Sequence, residues 1–146
     1  MGVPDRIPIV HDDHHASRIG RLADGRLFFV TEPFVAASSD APGCEFLAVY
    51  LFAADGAFVE ARIDSLGPRS TMDVDAARSL LERRLAELGE ASFESIAVQP
   101  FSVVRDGVTF GLIPREPEDD DEGWWAVLQP GDYMAFTEPW DGFYDT

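Results

Sequence analysis

All three histidines of the chain fall within five positions, in the run His11-Asp12-Asp13-His14-His15. Imidazole and carboxylate ligands suit zinc, nickel or manganese. Neighbouring side chains diverge, so such a run does not close a coordination shell by itself. A metal site here needs a distant acid, and Asp141 and Asp145 are the candidates. The metal reading therefore takes His11, His14, His15, Asp141 and Asp145 as ligands of one divalent cation, the only cofactor the sequence suggests. Against it stands a solvated segment whose histidines cap turns or pair with acids. The absence of a defined ligand spacing favours that second reading. Set among carboxylates, the histidines are expected to titrate somewhat above their ordinary value.

A second candidate is Glu116-Pro117-Glu118-Asp119-Asp120-Asp121-Glu122. In an EF-hand frame the third ligand position is Gly123 and the twelfth is Pro130, so the run reads as a solvated charge cluster. The third candidate is aromatic: Trp124, Trp125, Tyr133, Phe136, Trp140, Phe143 and Tyr144, which include all three tryptophans. Aromatics beside acids suit protein or sugar recognition, but the same residues also serve as core, and the core reading is favoured.

Catalytic signatures are missing. There is no G-x-S-x-G, H-E-x-x-H or G-x-G-x-x-G, and lysine is absent, which removes Schiff-base chemistry and a P-loop lysine. Cys44, the single cysteine, rules out an internal disulfide. It reads as a small buried thiol rather than a nucleophile paired with His14. No catalytic residue is assigned.

The elements that must position these groups follow from turn and periodicity signals. Asp24-Gly25, Asp55-Gly56 and Asp106-Gly107 each separate two apolar runs, the strongest short-range hairpin signal. A fourth pair of runs, 124–128 and 133–137, flanks Gln129-Pro130-Gly131-Asp132. Residues 46–52 are apolar on both faces, which marks a central strand. The next run alternates, with Val59, Ala61 and Ile63 on one face. Pro100 within residues 96–104 implies a bulge or an edge. Val74, Ala77, Leu81, Leu85 and Leu88 recur at helical spacing, with Asp73 as N-cap, Gly89 as terminator and Arg78–Glu82 as a helical pair. Leu81 and Leu85 are expected to be buried. The fold class is α+β: a mainly antiparallel β meander of about eight strands, as a curved sheet or split barrel, with one central amphipathic helix. Residues 1–146 form a single domain, and residues 114–123 an acidic flexible loop. The aromatic ending predicts that Trp140 and Tyr144 pack back onto the sheet, with residues 11–15 beside them.

Two stretches carry a family resemblance. One is Arg18-Ile19-Gly20-Arg21 followed by Ala23-Asp24-Gly25. The other is Glu138-Pro139-Trp140-Asp141-Gly142 with Tyr144-Asp145-Thr146. With Gly107-Val108-Thr109-Phe110-Gly111-Leu112, they resemble a family of small bacterial proteins often labelled formate hydrogenlyase regulatory protein. The resemblance runs from about Pro4 to Thr146 and implies a cytoplasmic bacterial protein, with no catalytic residues to carry over.

Charge narrows the partners. There are 27 acids against 11 bases, all arginine, for a net −16, and six of the acids lie within residues 116–122. Such a field repels nucleic acid and anionic membranes and attracts a basic protein. No apolar run approaches the ~20 residues of a membrane span, and no secretory signal is evident near Met1. The expectation is a non-enzymatic cytoplasmic binding or regulatory domain acting through protein contacts, in one form an immunity-type inhibitor of a basic partner. The alternative is a small metal-binding protein or metal-dependent enzyme using the cluster of residues 11–15.

Overall fold

The doubly apolar run lies at the middle of the molecule. In the computed structural model, which describes residues 2–146, it forms strand β5 (Cys44–Phe52), flanked antiparallel by β3 (Leu27–Thr31) and β6 (Phe58–Gly67). Strand β2 (Ile19–Leu22) pairs with β3, and β7 (Ala91–Phe93) with β2. The two-residue β4 (Phe34–Val35) pairs with the start of β5. Successive side chains of a strand point to opposite faces. Phe46, Ala48, Tyr50 and Phe52 therefore enter one core cluster, and Leu47, Val49 and Leu51 another.

The first cluster is shared with a second antiparallel sheet. Its strands β9 (Phe101–Arg105), β10 (Val108–Arg115), β11 (Trp125–Gln129) and β12 (Ala135–Thr137) lie in the order β12-β11-β10-β9. They contribute Phe101, Phe110, Leu112, Ala126, Leu128 and Phe136. A short pair, β1 (Ile7–Ile9) with β8 (Ile96–Val98), adds four more aliphatic side chains.

The second cluster is roofed by helix α1 (Val74–Leu88). Asp73 caps it by accepting from the Ala76 N–H at 3.0 Å. Gly89, at φ 74°, ends it in a left-handed conformation open to glycine. Leu80, Leu81, Leu85 and Leu88 pack on Leu22, Phe28, Val30, Leu47, Val49 and Leu51. The expected burial of Leu81 and Leu85 is only half met, because no helix residue is fully buried and Val74 is 59% exposed. One helix over a wide sheet leaves solvent along both flanks. Arg84 ties the helix to β6 through both Asp64 oxygens, at 2.8 and 2.9 Å. Arg78 pairs with Asp75 at 3.9 Å rather than with Glu82.

The fold is α+β, with antiparallel sheets and one helix, as expected. The structure has twelve strands among the described residues, because β1 and β7 are too short to leave a periodic signal and because Pro33 and Pro100 cut β4 and β8 from longer apolar runs. Pro100 divides the run 96–104 into β8 and β9, which belong to different sheets. In β6 the register shifts between Leu51 and Phe52, so Glu60 and Phe58 are their partners and Val59 is the extra residue. That bulge turns Phe58 inward and leaves Val59 51% exposed, reversing the expected place of Val59. Strand β10 continues through Pro114 and Arg115, so the acidic connection begins at residue 116 and not at 114. Proline is tolerated there because β9 has already ended opposite Leu112, leaving that edge without a partner.

Candidate functional site

The two terminal segments meet. The Val10 N–H donates to the Gly142 carbonyl at 2.9 Å. Gly142 has φ 92°, and a Cβ there would lie 2.6 Å from Val10 Cγ2, so the contact requires glycine on both counts. The Tyr144 hydroxyl donates to Asp12 Oδ2 at 2.5 Å and accepts from the His15 N–H at 3.1 Å. Asp12 Oδ1 accepts from the His14 and Ala16 N–H groups at 2.9 and 3.0 Å. Trp140 and Tyr144 pack on the main core, while Phe143 stays 68% exposed.

The acid that meets the tail is thus Asp12, which the proposed ligand set omitted. Burial works to raise the Asp12 carboxyl, but the bonds from Tyr144, His14 and Ala16 together hold it below its ordinary value. Asp141 accepts from the Phe143 N–H within its own turn at 3.3 Å. Asp145 forms a two-way backbone bridge with Ala135 at 2.9 Å. The His11 ring contacts the Ser17 carbonyl at 3.0 Å. The rings of His14 and His15 lie 3.9 Å apart, and His15 meets Tyr133 edge-on. Among the described residues no three His, Cys, Asp or Glu side chains are placed to hold a metal ion. His15 is shifted down, by burial first and then by the neighbouring His14, against the weaker pull of Asp12 and Glu32. The expectation that the histidines titrate high is corrected there: partial burial outweighs the surrounding acids.

His14 and His15 line a polar cleft of about 320 Å³ with Arg18, Glu32, Glu45 and Arg69. Its charges are matched internally. Arg69 binds Glu45 at 2.8 Å and Arg18 lies 3.8 Å from Glu32. Beneath it the Tyr133 and Thr31 hydroxyls share a buried hydrogen bond at 2.8 Å. The Cys44 thiol lies 3.2 Å from the Ser65 hydroxyl, at the entry to β5.

A larger cleft opens where the acidic connection passes the end of β12. It measures about 810 Å³ and is lined by Asp121, Glu122, Trp124, Glu138 and Trp140, with Pro4 at its lip. The two tryptophans are half-buried and the three acids exposed. The connection runs close to the strand end, since a Cβ on Gly123 would lie 3.7 Å from the Glu138 carboxyl carbon. A second cavity of about 500 Å³ shares Glu122 and Gly123 and adds Trp125 and Glu118. Among the described residues no arginine lines either cavity, and none of these acids is in an ion pair. The sequence placed these aromatics in the core. The signal for the cleft was present in the adjacency of Trp124 and Trp125 to the acidic run, but their meeting with Glu138 and Trp140 is a product of tertiary folding.

Fold and site together give a small acidic α+β chain with a cleft lined by tryptophan and carboxylate. No family model, no curated protein and no solved structure matches the chain. No helix of the described residues is long and apolar enough to cross a membrane.

Proposed function

We propose that this chain is a non-enzymatic binding domain that recognises a basic protein through the acidic end of its four-stranded sheet. One observation carries the reading: at the end where β10 leads into β11 and β12 stops, residues 116–122 and Glu138 hold seven acids beside the single Arg115. None of those seven acids has an ion-pair partner among the described residues, whereas eight acids elsewhere do. An uncompensated field of this kind accelerates encounter with a positive surface and suppresses wrong partners. In its most specific form the partner is a basic toxin and this domain is the inhibitor that covers it.

The test is affinity capture at physiological salt from cells that express the chain, with two baits. One bait is the native chain, and the other has Asp and Glu of residues 116–122 replaced by Asn and Gln. The expected result is one stoichiometric basic protein on the native bait and none on the neutralised bait. Equal recovery of the same protein by both baits overturns the reading.

A further inference from the structure

We infer that the cleft between Trp124 and Trp140 is a docking site for an extended, arginine-bearing segment of a partner protein. The inference rests on the reading above and gives it an atomic site. A guanidinium group is planar, weakly hydrated and suited to stacking on an indole face while its N–H groups reach carboxylates. This cleft offers both features together. Trp124 and Trp140 line it half-buried, and Asp121, Glu122 and Glu138 stand around them with no arginine among the described residues of the lining. The polar cleft at His14 and His15 is different, because Arg18 and Arg69 already occupy its carboxylates.

The occupant is extended because the recognition surface is a track. Trp124 lines the larger cavity and Trp125 the smaller one, with Glu122 and Gly123 common to both. Adjacent residues of an extended chain present side chains on opposite sides, so the two indoles serve two pockets. A segment crossing Gly123 would place one cationic side chain in each. Charge complementarity selects arginine or lysine over a neutral or acidic side chain, and an indole face favours arginine.

The probe is an end-blocked Arg-Gly-Arg peptide, compared with the same peptide carrying citrulline in place of both arginines. Citrulline keeps the shape and removes the charge. Binding is followed by tryptophan fluorescence and calorimetry on the full chain. The expected result is saturable one-to-one binding of the arginine peptide, weaker for the citrulline peptide by about tenfold or more. Trp124→Ala should weaken it by about tenfold and Glu122→Gln with Glu138→Gln by several-fold, while Glu82→Gln, exposed on helix α1, leaves it unchanged. Trp124 is chosen because Trp140 also packs on the core, and the carboxylate-to-amide pair provides a change that keeps the shape of the site. Equal binding of the two peptides overturns the inference, as does full binding by Trp124→Ala. If the captured basic protein still binds while both of those results are found, the cleft assignment fails and the wider reading survives. Failure of the native bait to hold any basic protein removes the wider reading itself.

Discussion

Asp12 joins the two ends of the chain, and its protonation should be visible in stability. Its carboxyl is held below the ordinary 3.8, so the unfolded chain binds the proton more readily than the folded one. The contribution is present above the ordinary value and is lost as pH falls through the lowered one. His15, also lowered, adds an acid-side loss that begins nearer its ordinary 6.5. Asp12→Asn should therefore melt below the native chain at about pH 7, with the gap closing as pH falls below the ordinary 3.8. A constant gap across that range would assign the contact to shape rather than charge. The tyrosines act at the other limb. Tyr144 is pushed up to about 12, by burial first and then by its bond to Asp12 and that residue's charge. Burial also raises Tyr133 and Tyr50, which completes the chain's three tyrosines. A raised phenol stabilises the fold below its ordinary value of 10.0, and the contribution fades as pH rises through the folded value. Phenolate absorbance should thus appear only well above pH 10 and together with loss of the fold. Three tyrosinates formed near pH 10 in a still-folded protein would contradict this.

At the scale of elements, the helix and the C-terminal tail differ in how much core they hold. Leu85 is half-buried on the sheet while Leu51, at the same interface, is fully buried. Leu51→Ala should cost about 2–5 kcal/mol, but Leu85→Ala only about 1–2 kcal/mol, since part of its surface is already in water. Urea unfolding of the two variants measures the difference, and equal costs would mean that the helix is sealed in solution. Removing residues 139–146 takes away Trp140, Tyr144, the donor to Asp12, the Val10–Gly142 bond and the Asp145 bridge to Ala135. The expected loss is about 3–5 kcal/mol. An unchanged melting temperature for the truncated chain would detach the tail from the core.

For the whole molecule, charge decides which encounters occur. Among the described residues seven of the eleven arginines pair with acids, and Arg6, Arg83, Arg105 and Arg115, far apart in the sequence, do not. Four such arginines within a net −16 are not expected to make a phosphate-binding surface. Duplex DNA should give no shift in a gel-retardation assay at physiological salt, and micromolar binding with a steep salt slope would reveal a basic patch. Association with a basic protein should instead slow as salt rises, because the field is screened over roughly 8–10 Å at physiological ionic strength.

The sequence by itself determined the central strand, the hairpin turns, the helix with both its caps and the return of the aromatic tail. Each of these is local: a run of seven apolar residues, an Asp-Gly pair, a stripe at helical spacing, or a polar ending studded with rings. Asp106 and Gly107, at φ 51° and 77°, take the left-handed conformations that an Asp-Gly hairpin turn needs. The short strands β1 and β7 escaped the sequence because three residues carry no period, and Val59 misled it because a bulge reverses parity. Only the tertiary structure decided which acid meets the tail. Asp12 and Tyr144 are 132 positions apart and nothing in either neighbourhood names the other. The same holds for the cleft. Trp124 and Trp140 line one cavity because β11 and β12 pair antiparallel and bring the chain back alongside itself. Side-chain chemistry is written along the sequence, but a site is a convergence of distant side chains, and convergence belongs to the packing of the sheets.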